Sequence, residues 1–134
     1  MIGGIIVSHG KLAEELLNAL TIILGEVVNI EAISIGWYDD VEESKKKINK
    51  SLNRVNQKNG VVIFTDMFGG TPSNLSFSFL KDNSVEIITG VNLPMLIKFV
   101  SLQRNNNLKE VTKKVVEQGK KNIHLASALL KLKS

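Results

Sequence analysis

The chain has 134 residues and a mass of 14.8 kDa, with 43% hydrophobic and 22% charged residues. That is the size and composition of one globular domain covering 1–134, and it excludes a disordered chain. There is no cysteine and only two histidines, so disulfides, thiol catalysis and a catalytic zinc site are not expected. The net charge is +4, but the part from residue 109 onward carries seven lysines and two glutamates. The first 108 residues carry ten basic and eleven acidic side chains, so the basicity belongs to the C-terminal helix and tail. That part has no arginine and no aromatic residue, which argues against nucleic-acid binding and for a solvated lysine face.

Met1 leads straight into Ile2-Gly3-Gly4-Ile5-Ile6-Val7, with no basic leader and no cleavage site. A cytoplasmic location is therefore the expectation. Residues 3–8 read as a short buried strand of branched side chains. Residues 11–24 place Leu12, Leu16, Leu17, Leu20, Ile23 and Leu24 at helical spacing, and Gly25 is a natural stop. A second strand covers 29–35 and ends at Gly36. Asp39 or Asp40 caps a helix running to about residue 58, with Val41, Ile48, Leu52 and Val55 as its buried stripe. Asn59-Gly60 is a turn, and 61–65 form a third strand, apolar on both faces.

The loop Asp66-Met67-Phe68-Gly69-Gly70-Thr71-Pro72-Ser73-Asn74 follows. Thr71 before Pro72 reads as an N-cap and first-turn pair, so a helix is expected from Pro72 to about Leu80. Residues 85–89 are a fourth strand. The loop Gly90-Val91-Asn92-Leu93-Pro94 opens a helix to about Gln103, and Asn105-Asn106-Asn107 breaks it. A long helix covers 108–119. Residues 122–132 are either a strand with a frayed tail or more helix. Strands and helices alternate four times, which implies an α/β fold with a parallel sheet and helices on both faces. In such a doubly wound sheet of order 2-1-3-4, a ligand sits beyond the carboxyl ends of the first and third strands.

Ser8-His9-Gly10 follows the first strand, and Asp66 with the glycine-rich loop follows the third. A neutral imidazole attacks phosphorus through the nitrogen that lacks a proton. A carboxylate on the other nitrogen fixes the tautomer and stabilises the cation that develops. Backbone N–H groups at a helix start suit the phosphoryl oxygens, with Gly69 and Gly70 allowing close approach and Thr71 and Ser73 adding hydroxyls. Each piece has a plainer reading as a polar strand end, a turn or a helix start. The loop has no Lys or Arg, which suits reversible transfer. Two other classes stay open: a module that binds an anion or phosphorylated ligand without covalent chemistry, and a flavin-type electron carrier. Trp37 and Tyr38, after the second strand, read as packing or rim residues. Met67 and Phe68 either pack under the loop or dock a small carrier protein. His124 reads as structural or surface.

At Ile5-Ile6-Val7-Ser8-His9-Gly10, at Thr65 through Asn74 and at Gly90-Val91-Asn92-Leu93-Pro94-Met95-Leu96, the sequence resembles the IIA component of the mannose-type (mannose/fructose/sorbose) sugar phosphotransferase system. The resemblance covers nearly the whole chain. It implies that His9 Nε2 takes a phosphoryl group from the phosphocarrier HPr and passes it to the IIB component, and through it to sugar entering by the membrane components IIC and IID. It implies Asp66 as the partner of His9 Nδ1 and Gly70, Thr71 and Ser73 at the phosphate-holding helix start; the phosphohistidine chemistry itself calls for no metal and no cofactor. It also implies a homodimer that exchanges a C-terminal antiparallel strand, which favours a strand near residues 123–126. A chain ending here would be a IIA polypeptide separate from IIB. The phosphotransfer subunit of dihydroxyacetone kinase is a related alternative, with a different loop after its third strand.

Overall fold

The computed structural model describes residues 1–105 and 107–131. Its elements run β1 (Gly3–His9), α1 (Leu12–Leu24), β2 (Ile30–Ile35), α2 (Val41–Val55), β3 (Val61–Thr65), α3 (Thr71–Phe77), β4 (Val85–Thr89), α4 (Leu93–Leu102), α5 (Leu108–Lys121) and α6 (Ala126–Lys131). The four strands form one parallel sheet in the order β2-β1-β3-β4. The expected α/β architecture and strand order are thus observed.

Side chains alternate across a strand, so each central strand feeds two cores. Ile6, Val62 and Phe64 face α1, α4 and α5, packing with Leu20, Leu96, Phe99, Val111 and Val115. Ile5, Val7, Val61 and Ile63 face the other way and pack with Ile48, Leu52 and Val55 of α2 and Leu75 of α3. The rings of Phe64 and Phe99 meet edge to face, 5.1 Å between centroids. That contact needs Gly4 beside it, because a Cβ there would lie 2.8 Å from the Phe99 ring.

Several boundaries differ from the sequence expectation for identifiable reasons. The buried side of α1 is Ala13, Leu16, Leu17 and Leu20, while Leu12, Ile23 and Leu24 are exposed. In α2, Val41 is exposed and Ser44 and Ser51 are buried. The Ser51 hydroxyl donates to Glu31, 2.8 Å away, which satisfies it beneath the helix. The α3 N-cap is Gly70 rather than Thr71, and Thr71 is the first helical residue. The helix ends at Phe77 rather than near Leu80 because Ser78, Phe79 and Leu80 each donate three residues back, tightening the chain out of α geometry.

The strand expected near 123–126 is not formed. Residues 123–125 belong to no regular element, and Ala126–Lys131 is helix, with Leu129 N–H bonded to Leu125 O at 3.0 Å. Ala126, Ala128, Leu129, Leu130 and Lys131 are strong helix formers, and a single chain offers this segment no strand to pair with. Asn106 of the expected break after α4 lies outside the described residues, as do Leu132 and the rest of the expected tail. Among the described residues, no helix is long and apolar enough to cross a membrane.

Candidate functional site

β1 and β3 are neighbours, with Val7 opposite Thr65, so the residues that follow them meet at one edge of the sheet. His9 is the last residue of β1. Its place is fixed from below by Ser8, whose buried hydroxyl accepts from Ala13 N–H at 2.6 Å and so ties the strand end to the first turn of α1. Gly10 N–H donates to Ile35 O at 2.9 Å, which holds the ends of β1 and β2 together. Sequence reasoning assigned Ser8 no role. The signal was there, a hydroxyl residue just ahead of a helix whose N-cap, Lys11, has no capping side chain.

Asp66 is drawn in by three donors. Its Oδ2 accepts from His9 N–H at 2.9 Å and lies 2.7 Å from His9 Nδ1, and its Oδ1 accepts from Met67 N–H at 3.0 Å. Burial alone would raise the Asp66 pKa, but the His9 backbone N–H, the His9 ring and Met67 N–H together hold it below the ordinary carboxylate range. Asp66 is therefore ionised at neutral pH and accepts only. The Nδ1 nitrogen must then carry the proton, and Nε2 of the neutral ring keeps its lone pair. The His9 side chain is 51% exposed and that of Asp66 only 10%, so the carboxylate is fixed and the ring is open to an incoming group.

The free side of the ring faces Gly70. A Cβ at Gly70 would lie 3.0 Å from His9 Cε1 and 3.1 Å from Nε2. The backbone there has φ 85° and ψ 169°, a region that glycine alone enters readily. Both requirements fall on one position, since a side chain would strain the turn and crowd the nucleophilic nitrogen. Thr71 is exposed at the first position of α3. Ser73 is fully buried, and its hydroxyl donates to Gly70 O at 3.2 Å. That bond supports the glycine turn from beneath. Gly69 is half-buried beside it, with φ 85°.

Phe68 is 76% exposed, and its ring leans on Phe77 at 6.0 Å. Met67 is exposed too. The third motif does not reach the imidazole. Asn92 caps α4 by accepting from Met95 N–H at 3.0 Å and donates to Gly119 O of α5 at 3.1 Å, so it locks two helices together. His124 is exposed, well along the chain from these loops. Among the described residues, no group of three or more His, Asp or Glu side chains gathers as a metal site.

The sign of the Asp66 shift sets a pH dependence. A carboxylate whose pKa is lowered by folding contributes stability that is fully present at neutral pH and is lost as pH falls through the lowered value. Asp66→Asn should therefore melt at lower temperature than the unmodified protein at pH 7. The gap should close in strong acid, which a series of thermal denaturations would follow.

The chain is similar to known proteins over most of its length. Residues 3–116 match the family model EIIA-man, described as PTS system fructose IIA component. The fructose-specific EIIA component of Bacillus subtilis (strain 168) is 31% identical over 112 residues, 83% of this chain and 77% of that protein. The mannose-specific EIIAB component of Escherichia coli (strain K12) is 29% identical over 126 residues, 92% of this chain but only 39% of its own length. The crystal structure of phosphotransferase system component EIIA from Streptococcus agalactiae superposes with a TM-score of 0.86 at 24% identity, covering 96% of this chain and 99% of that one. A PTS IIA protein associated with the fucose utilisation operon of Streptococcus pneumoniae gives 0.84 at 25% identity, covering 96% of both chains. With its family model spanning most of its length, the chain belongs to the EIIA-man family of phosphotransferase system IIA components.

Proposed function

We propose that the protein is the phosphoryl carrier of a sugar phosphotransferase system, with His9 as the residue modified. The observation that carries this reading is the division of labour on one ring. Asp66 holds Nδ1 at 2.7 Å, while Nε2 lies open beside a glycine. The lone pair of Nε2 attacks the phosphorus of a phosphorylated donor protein, and the donor's P–N bond breaks as its electron pair returns to the donor nitrogen. The Nδ1 proton stays in its bond to Asp66, and the carboxylate stabilises the positive charge on the modified ring. Gly69, Gly70 and Thr71 receive the phosphoryl oxygens, and Ser73 steadies Gly70 from beneath. The same steps in reverse, toward a second protein, release the group.

In this reading the donor is HPr and the acceptor is the IIB component, which serves the membrane components IIC and IID. In this reading the protein works in the cytoplasm and needs neither metal nor cofactor. Phe68 and Met67 stand beside the ring as a docking surface. Phe68→Ala should slow transfer from HPr by about 10-fold without lowering the melting temperature.

A homodimer belongs to the same reading. Ile123, Leu125, Leu129 and Leu130 are exposed near the C-terminus, and such a cluster is usually covered by a partner. Light scattering at micromolar concentration should return the mass of two chains; the mass of one chain would remove this part of the proposal.

The test of function is phosphorylation by phosphoenolpyruvate, enzyme I and HPr, read by intact mass. One acid-labile phosphoryl group is expected on the unmodified protein and on His124→Ala. Phosphate binding by a folded protein that never becomes modified would instead support a non-covalent anion module.

A further inference from the structure

The turn after β2 has no part in the chemistry above, yet it stands at the same edge of the sheet. Ile35 is opposite His9 in the register, and Gly10 N–H bonds to Ile35 O. The next residues, Trp37 and Tyr38, are 91% and 94% exposed. They are the only tryptophan and the only tyrosine of the chain. The turn that carries them is closed on itself. Asp39 Oδ2 accepts from Gly36 N–H at 2.7 Å, and Asp39 N–H donates to Gly36 O at 3.2 Å. Two large rings are thus presented to solvent on a short, hydrogen-bonded support, a costly arrangement for a surface that meets only water.

The charge around this turn is opposite to that of the chain. Segments 9–12, 36–43 and 66–74, which follow β1, β2 and β3 at one rim of the sheet, hold the carboxylates Asp39, Asp40, Glu42, Glu43 and Asp66 and one basic residue, Lys11. The chain as a whole is +4. A phosphoryl group carries negative charge, and this rim does little to neutralise it. The protein that brings it must therefore supply cations of its own beside the reacting phosphorus. A face of Lys or Arg finds carboxylates and two aromatic faces here, a surface suited to attract it and to hold it by cation–π contact.

We infer that the Trp37–Tyr38 turn is a docking arm for the phosphoryl-donor protein, a partner with a basic, partly apolar face. This rests on the carrier reading above. The donor rather than the acceptor is the occupant for an electrostatic reason. The donor must bind while His9 bears no phosphoryl group, so rim contacts carry its recognition. The acceptor meets a rim that already bears the phosphoryl dianion, which supplies much of its attraction to a basic face.

The test compares the unmodified protein with Trp37→Ala/Tyr38→Ala and with Glu42→Lys/Glu43→Lys. Phospho-HPr is titrated as donor, and transfer from the phosphorylated protein to the IIB component is followed separately. The aromatic variant is expected to raise KM for phospho-HPr about 10-fold or more, leave kcat and the melting temperature unchanged, and alter KM for IIB less. The charge-reversed variant should raise KM for phospho-HPr and flatten its dependence on salt. Trp37 is also its own reporter, since binding of a tryptophan-free HPr should shift its emission to shorter wavelength and shield it from a soluble quencher. A KM for phospho-HPr within twofold of the original, or unchanged Trp37 emission at saturation, would overturn the inference. So would a KM effect confined to IIB, which would give the arm to the acceptor. Failure of the unmodified protein to accept any phosphoryl group, by contrast, would overturn the carrier reading on which the arm depends.

Discussion

His9→Ala is expected to fold normally and to accept no phosphoryl group, whatever the donor concentration. The ring stands half out of the protein, so its removal empties no core. Asp66 keeps two of its three donors, the backbone N–H groups of residues 9 and 67. The loop geometry should therefore survive, and circular dichroism and melting temperature should change little. What is lost is the one nitrogen with a free lone pair at this edge of the sheet. The variant carries an internal check as well. The His9 ring helps hold the Asp66 carboxyl below its ordinary pKa, so in His9→Ala that carboxyl should titrate at higher pH. Carboxyl NMR chemical shifts followed against pH would show it. Phosphorylation of His9→Ala at the original level would remove His9 from the mechanism.

The second large effect is expected at Gly70, where the obstacle is steric. In Gly70→Val, the Cβ would lie 3.0 Å from His9 Cε1 and 3.1 Å from Nε2, and the two methyl groups would crowd the ring further. The backbone conformation adds about 1–3 kcal/mol of strain for any residue with a side chain. Two readouts should separate these costs. The melting temperature should fall, reporting strain. The rate of phosphoryl acceptance should fall by about 10²-fold or more, reporting displaced geometry at the attacking nitrogen. Gly69→Ala makes the comparison, because a Cβ at Gly69 meets nothing within 4 Å although its φ is also 85°. It should share the loss of stability and keep much more of the activity. Equal activity losses at the two glycines would mean that backbone strain, not proximity to Nε2, governs the site.

Sequence reasoning reaches this site because the relevant signals are local and repeated. The unbroken apolar runs Ile5-Ile6-Val7 and Val61 through Phe64 mark strands buried on both faces, which the two cores require. Alternation of strands with helices fixes a parallel sheet, and its order puts His9 and Asp66 at neighbouring ends. What was not legible depends on tertiary contacts. Thr71 looks like a cap, yet the glycine before it occupies the cap position because its unusual φ and ψ turn the loop into α3. The residue type of Ser73 does not reveal that its hydroxyl bonds to Gly70 O and supports the turn. In α1, the leucine pattern is wide enough to allow more than one buried face, and packing against β2 and α4 selects Ala13 and Leu20. At the C-terminus, the segment from Ile123 carries both branched and helix-forming residues, and in one chain the helix formers prevail at Ala126–Lys131. The exposure of Trp37 and Tyr38 is also a tertiary fact, because a short strand end leaves both burial and rim placement open.

The central claim is that one nitrogen of one ring carries the phosphoryl group while the other stays bonded to Asp66. The most direct measurement is nitrogen and phosphorus NMR on the phosphorylated, 15N-labelled protein, assigning the bonded ring nitrogen. The expected result is phosphorus on His9 Nε2 with the proton retained on Nδ1. Phosphorus on Nδ1, or on His124, would contradict the account.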